Sequence, residues 1–174
     1  MKKTLLLSVI CATLFACSTP TENKVEATTS ATGTTSVTTE GPDVELMKKA
    51  TNAWGNADWD TYLSCYADTA RSAHNVWAVS TDTTVVRKMS SYIDQFKKSR
   101  ESVDGNIKLE HSIYEVVTMA DGSKYGHAWM DISWKTKKGV IGRSLLFNSY
   151  GIKDGKLTSE WPIYDSKPYV EMTK

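Results

Sequence analysis

The sequence predicts an α+β fold. Apolar residues recur at helical spacing from Val44 to Trp54, strand-like runs fill most of 107–165, and turn-forming glycines separate those runs. Helices come first and strands last, with one short strand and one longer helix between them. The sheet is therefore expected to be an antiparallel meander rather than a βαβ repeat.

Residues 1–16 read as an export signal. Lys2 and Lys3 precede an apolar stretch, Leu5–Phe15, that is too short for an ordinary transmembrane helix. The run "LFAC", with Leu14, Ala16 and Cys17, resembles the lipobox of bacterial lipoproteins, although Phe15 departs from the residue usual there. That resemblance implies lipidation of Cys17 and attachment to the cell envelope; an ordinary signal peptide cut nearby is the alternative. Ser18 lacks the acidic character that retains many lipoproteins in an inner membrane, so the outer membrane of a two-membrane cell is expected. Residues 17–42 are dominated by Ser and Thr and cannot bury enough apolar surface to offset ordering entropy, which predicts a flexible tether. A single domain over 43–174 remains, with all six tryptophans.

Within that domain Cys65 is the lone cysteine, so no internal disulfide is available. The whole chain carries 21 basic and 20 acidic residues, a balance that argues against nucleic-acid binding. Asp43 is the expected cap of a first helix, with Val44, Met47, Ala50 and Trp54 on one stripe, and "GNAD" ends it. Asp58 caps a second, shorter helix from Trp59 to Tyr66. "RSAHNVWAV" reads as a short strand, and Asp82 as the cap of a longer helix carrying Val85, Met89, Tyr92, Ile93 and Phe96. Its basic end, "KKSR" at 97–100, reads as a solvated terminus favoured by the helix dipole. Strands follow at 107–118, 124–136, 140–152 and 156–165, with hairpin turns at Asp121-Gly122, Lys138-Gly139 and Asp154-Gly155.

Two segments carry a family resemblance. "AWGNADWDTYLSCYADTARSAH" resembles the start of SnoaL-like domains of the nuclear-transport-factor-2-like (steroid Δ-isomerase-like) superfamily, and "IKDGKLTSEWPIYD" resembles their closing hairpin. The resemblance covers about 43–165 and implies a cone: a strongly curved antiparallel sheet wrapped around three helices, with a largely apolar pocket inside. It also implies a homodimer through the outer sheet face. Alignment to the isomerases places His74 where they carry a catalytic Asp base. It places Ala50 at their oxyanion-donating Tyr, and Phe147 or the adjacent Asn148 at their neutral Asp. The base thus has a counterpart and the oxyanion donors do not, which argues against steroid isomerisation.

The run "YGHAWMDISW" at 125–134 alternates Tyr125, His127, Trp129 and Asp131 with Gly126, Ala128, Met130 and Ile132. Bulky side chains with polar tips are the usual lining of a small-molecule pocket, so the odd-numbered face is expected to line it. The competing reading makes it the outer or dimer face. Trp77, Tyr92, Asn148, Trp161, Tyr164 and Asp165 complete the expected ligand-binding set. The three histidines, His74, His111 and His127, share no metal-ligand spacing, so neither metal nor cofactor is expected. The leading function is a lipid-anchored module that binds an apolar small molecule or a protein partner. The alternative is a cofactor-independent lyase or isomerase with His74 and Asp131 as acid–base groups.

Overall fold

The computed structural model describes residues 29–30, 33–74 and 86–168. The signal, Cys17, Trp77 and the expected helix start at Asp82 lie outside the described residues. A small hairpin pairs β1 (Thr29–Ser30) with β2 (Gly33–Thr34). Then come β3 (Ser36–Thr38), α1 (Pro42–Gly55), α2 (Trp59–Ser64), β4 (Tyr66–Ser72) and β5 (Arg87–Lys88). A 3-10 turn (Met89–Tyr92) leads into α3 (Ile93–Arg100). The meander follows: β6 (Lys108–Thr118), β7 (Lys124–Lys135), β8 (Ile141–Lys153) and β9 (Lys156–Tyr164).

The seven-stranded sheet has the order β3-β6-β7-β8-β9-β4-β5. It is mixed rather than purely antiparallel, because β4 runs parallel to β9. The helix-to-strand connection at Cys65 forces this: Cys65 O accepts from Leu157 N at 2.9 Å, so β4 leaves α2 already alongside the start of β9. Register shifts at Leu109/His111, Gly151/Ile152 and Tyr66/Arg71 bend the strands. The bent sheet presents one face to α1, which packs on β6, β7 and β9.

Three elements differ from the sequence expectation. The first helix starts at Pro42 with Gly41 as its cap residue, and Asp43 sits in the first turn instead. The longer helix begins only at Ile93, after the 3-10 turn, because Arg87–Lys88 pair with Arg71 and Ser72 as an edge strand. The segment expected to be all tether contributes β3, whose Ser36, Val37 and Thr38 pair with Thr118, Val117 and Val116. The basic helix end is also more than a solvated terminus. Arg100 Nη2 donates to Trp54 O and Gly55 O, each at 2.6 Å, and so satisfies carbonyls at the end of α1. The expected cap at Asp58 accepts from Thr61 N at 3.1 Å.

The alternating strand settles which face is inside. Gly126, Ala128, Met130, Ile132 and Trp134 are buried under the helices. Gly126 lets α1 approach closely there: a Cβ would lie 2.2 Å from Met47 Sδ, so that side chain would have to move. The small residues therefore mark a close helix approach, not a weak core. The odd face points away, and Tyr125 and Trp129 are 47% and 44% exposed. Across the strands it forms a continuous apolar row, Ile113–Trp129–Phe147–Ile163, flanked by Glu115–His127–Ser149–Trp161.

Candidate functional site

A cavity of about 310 Å³ opens between the inner face of the sheet and the helices. The registers dictate its floor. Ala128, Asn148 and Pro162 lie in one cross-strand row, Met130, Leu146 and Tyr164 in the next, and Gly126, Tyr150 and Glu160 in a third. Thr51 and Trp54 from α1, Tyr62 from α2, and Gln95, Phe96 and Ser99 from α3 close the other side. His74, just beyond β4, completes the wall beside Tyr164.

The polar floor centres on Glu160, which is 7% exposed. Its Oε2 accepts from Tyr62 at 2.7 Å and from the Tyr66 hydroxyl, and its Oε1 accepts from Asn148 Nδ2 at 3.0 Å. Asn148 Nδ2 also donates to Tyr150 Oη at 2.7 Å. Burial pushes the Glu160 carboxyl above its ordinary range, and these three donors pull against that shift. Burial and the nearby carboxylate raise the Tyr62, Tyr66 and Tyr150 phenols well above theirs, so all three stay protonated. Both carboxyl oxygens lie within hydrogen-bond reach of donors, which favours the ionised form against the burial that disfavours it.

At the wall, His74 Nδ1 is 3.2 Å from Tyr164 Oη. The imidazole stacks on Tyr92 at 4.6 Å, and Tyr92 in turn donates its hydroxyl to Ser72 O at 3.1 Å. Burial, with a smaller contribution from the positive charge of Arg87, lowers the His74 pKa to about 4, so it is a neutral imidazole at ordinary pH. His74 Nε2 and Asn148 Oδ1 are buried and find no hydrogen-bond partner among the described residues. Both belong to residues that line the cavity. The site thus combines an apolar body with two unmet polar atoms.

The cavity brings His74, Asn148 and Tyr164 together, with Tyr92 behind the imidazole. It does not include Tyr125, His127, Trp129 or Asp131, which lie on the opposite face of the sheet. His127 Nδ1 is 3.0 Å from Glu115 Oε1. Asp131 is held by Arg143, whose Nε donates to Oδ1 at 2.8 Å and whose Nη2 donates to Oδ2; this pairing keeps its carboxyl below the ordinary range. His74 and Asp131 therefore cannot act as one acid–base pair. Trp161 shares the outer row with His127, because it is one residue out of phase with Glu160 and Pro162. Asp165 lies exposed beyond β9, accepting from Lys167 N at 2.9 Å. Glu160, the centre of the polar floor, is absent from the sequence-based set. Its signal was available: Tyr164 and Glu160 share strand parity, so an inward Tyr164 implies an inward Glu160.

No protein-family model matches the sequence, and no curated protein matches it. Solved structures do share its fold. An NTF2-like protein from Burkholderia xenovorans LB400 is 15% identical, with a TM-score of 0.53 over 76% of this chain and 96% of its own. TerC co-crystallised with polyporic acid is 14% identical, with a TM-score of 0.55 over 76% and 98%. An LEH-like epoxide hydrolase of M. tuberculosis is 13% identical, with a TM-score of 0.50 over 76% and 89%. The chain has the nuclear-transport-factor-2-like α+β fold.

Proposed function

We propose that the protein is a lipid-anchored envelope component whose cavity binds an apolar small molecule bearing one polar group. One observation carries this reading: a cavity walled by Trp54, Phe96, Met130 and Leu146 is also lined by His74 and Asn148, each of which carries a buried polar atom with no hydrogen-bond partner among the described residues. A buried polar atom without a partner costs about 1–3 kcal/mol, which a ligand that meets it would recover. The TerC complex with polyporic acid is consistent with ligand binding on this fold.

The outer sheet face supports a second copy of the chain as partner. Ile113, Trp129 and Leu145 are 65%, 44% and 74% exposed on neighbouring strands, and the charged groups nearby are paired within the chain. A twofold dimer would cover this apolar row with its own copy. Two substitutions separate face from cavity, read with the neutral fluorescent probe N-phenyl-1-naphthylamine. Leu146→Trp should fill the cavity and abolish saturable probe fluorescence. Trp129→Ala should leave probe binding intact and convert dimers to monomers in light scattering. Probe binding that survives Leu146→Trp would sink the cavity reading, and a monomeric wild type would sink the dimer.

Anchoring has its own test. Cys17→Ala should release the protein from the membrane fraction, whereas wild type stays until detergent is added; a freely soluble wild type would refute lipidation.

A second reading, cofactor-independent lyase or isomerase chemistry, is favoured by His74. Its neutral imidazole is held against Tyr164 through Nδ1, and in the tautomer that protonates Nδ1 the other nitrogen is a basic site. Binding stands first because Tyr62, one of the phenols that line the cavity, already donates to Glu160, and Ala50 stands where the isomerases carry their donating Tyr.

A further inference from the structure

We infer that the cavity takes an organic ammonium cation, an apolar body that carries a protonated amine. The inference rests on the ligand-binding reading above and specifies the chemistry of that ligand.

Three observations converge on it. Among the described lining residues Glu160 is the one carboxyl, and neither lysine nor arginine is present. The imidazole of His74, the remaining group able to carry positive charge, is neutral at ordinary pH. The donors that meet Glu160 are two phenols and an amide, all uncharged. They solvate the carboxylate without cancelling its charge, and in a low-dielectric cavity that charge acts over a longer range than in water.

The second observation is aromatic. Tyr62, Phe96 and Tyr164 line the same space, as does Trp54, whose ring already has the Arg100 guanidinium 5.5 Å from its centroid. Ring faces attract a cation and do nothing comparable for an anion. Third, the Asn148 amide has a defined polarity. Its Nδ2 serves Glu160 Oε1 and Tyr150 Oη, so its Oδ1 is left as the unmet atom. That oxygen is enclosed by protein, and a ligand group that reached it would have to be a donor. A hydrocarbon would leave the charge of a Glu160 carboxylate unanswered, and an anion would meet repulsion. A bound cation also favours the ionised carboxyl that burial disfavours, so ligand and site stabilise each other.

Three probes of matched shape test this by calorimetry on the purified full chain. N,N-dimethylbenzylamine is protonated near neutral pH; isobutylbenzene is its neutral carbon isostere; phenylacetate is an anion of similar size. The amine should bind about tenfold tighter than isobutylbenzene, phenylacetate should not bind, and Glu160→Gln should erase the preference. Isobutylbenzene equal to or tighter than the amine, or phenylacetate preferred, would overturn the cation inference and leave the ligand-binding reading standing. Saturable binding by none of the three would overturn both. If Glu160→Gln fails to fold, the wild-type comparison decides alone.

Discussion

Replacing Tyr62 and Tyr66 together by Phe should destabilise the protein by about 3–5 kcal/mol at neutral pH. Both hydroxyls donate to Glu160, a group buried beneath the cavity, and Phe preserves the ring packing around them. The variant would keep the shape of the core and leave the carboxylate with Asn148 as its remaining donor of the three. A buried charge stripped of its donors has one escape, protonation, so the Glu160 pKa must rise beyond its already raised position.

The sign of the pH dependence follows from that shift. A carboxyl whose folded pKa lies above its unfolded value contributes stability at acid pH and loses it as pH rises through the folded pKa. The penalty of the double variant, measured against wild type in urea melts, should therefore shrink as the pH is lowered. Glu160→Gln in the same background should recover a large share of the loss, because the charge that demanded the donors is gone. A double variant within about 1 kcal/mol of wild type, with no pH dependence, would show that the phenols are not what solvates Glu160.

The same network shows why the fold was more legible in the sequence than the site. Helix stripes and strand alternation are local, and the meander strands fall within a residue or two of where the sequence places them. Which face of the meander is inside is a non-local fact. The even face is the inner one, and Met47 of α1 lies directly on Gly126. The bulky odd face looked like a pocket, whereas its residues form an exposed row across neighbouring strands.

His74 and Asn148 could be named in advance because they fall at or beside family positions, and Tyr164 because it closes the last strand together with Trp161 and Asp165. Glu160 could not be singled out by composition, since an isolated Glu in "SEWPIY" is ordinarily a solvated residue. Its role appears only when Tyr62, Tyr66 and Asn148, drawn from three separate elements, converge on it. The edge strand β3 was hidden for a related reason. "SVT" has little hydrophobicity of its own, and its pairing is dictated by the free edge of β6.

The acid limb of stability should belong largely to His74. Its pKa is about 4 in the folded protein against 6.5 for an unperturbed imidazole, with burial the main cause and Arg87 the lesser one. The unfolded chain therefore binds more protons between those two values, and stability falls as pH is lowered through that window. Above pH 6.5 the contribution is complete; below about 4 both states are protonated and nothing further is lost. Integrated over the window, the loss is about 3 kcal/mol. His74→Phe keeps a ring against Tyr92 and has no proton to bind, so its stability should change much less between pH 7 and pH 4.5. Glu160 contributes a slope of opposite sign, but it is present in both proteins and cancels from their difference. Parallel acid limbs for wild type and His74→Phe would refute the assignment. The same variant bears on catalysis, since any turnover that requires the imidazole should vanish while the neutral naphthylamine probe still binds.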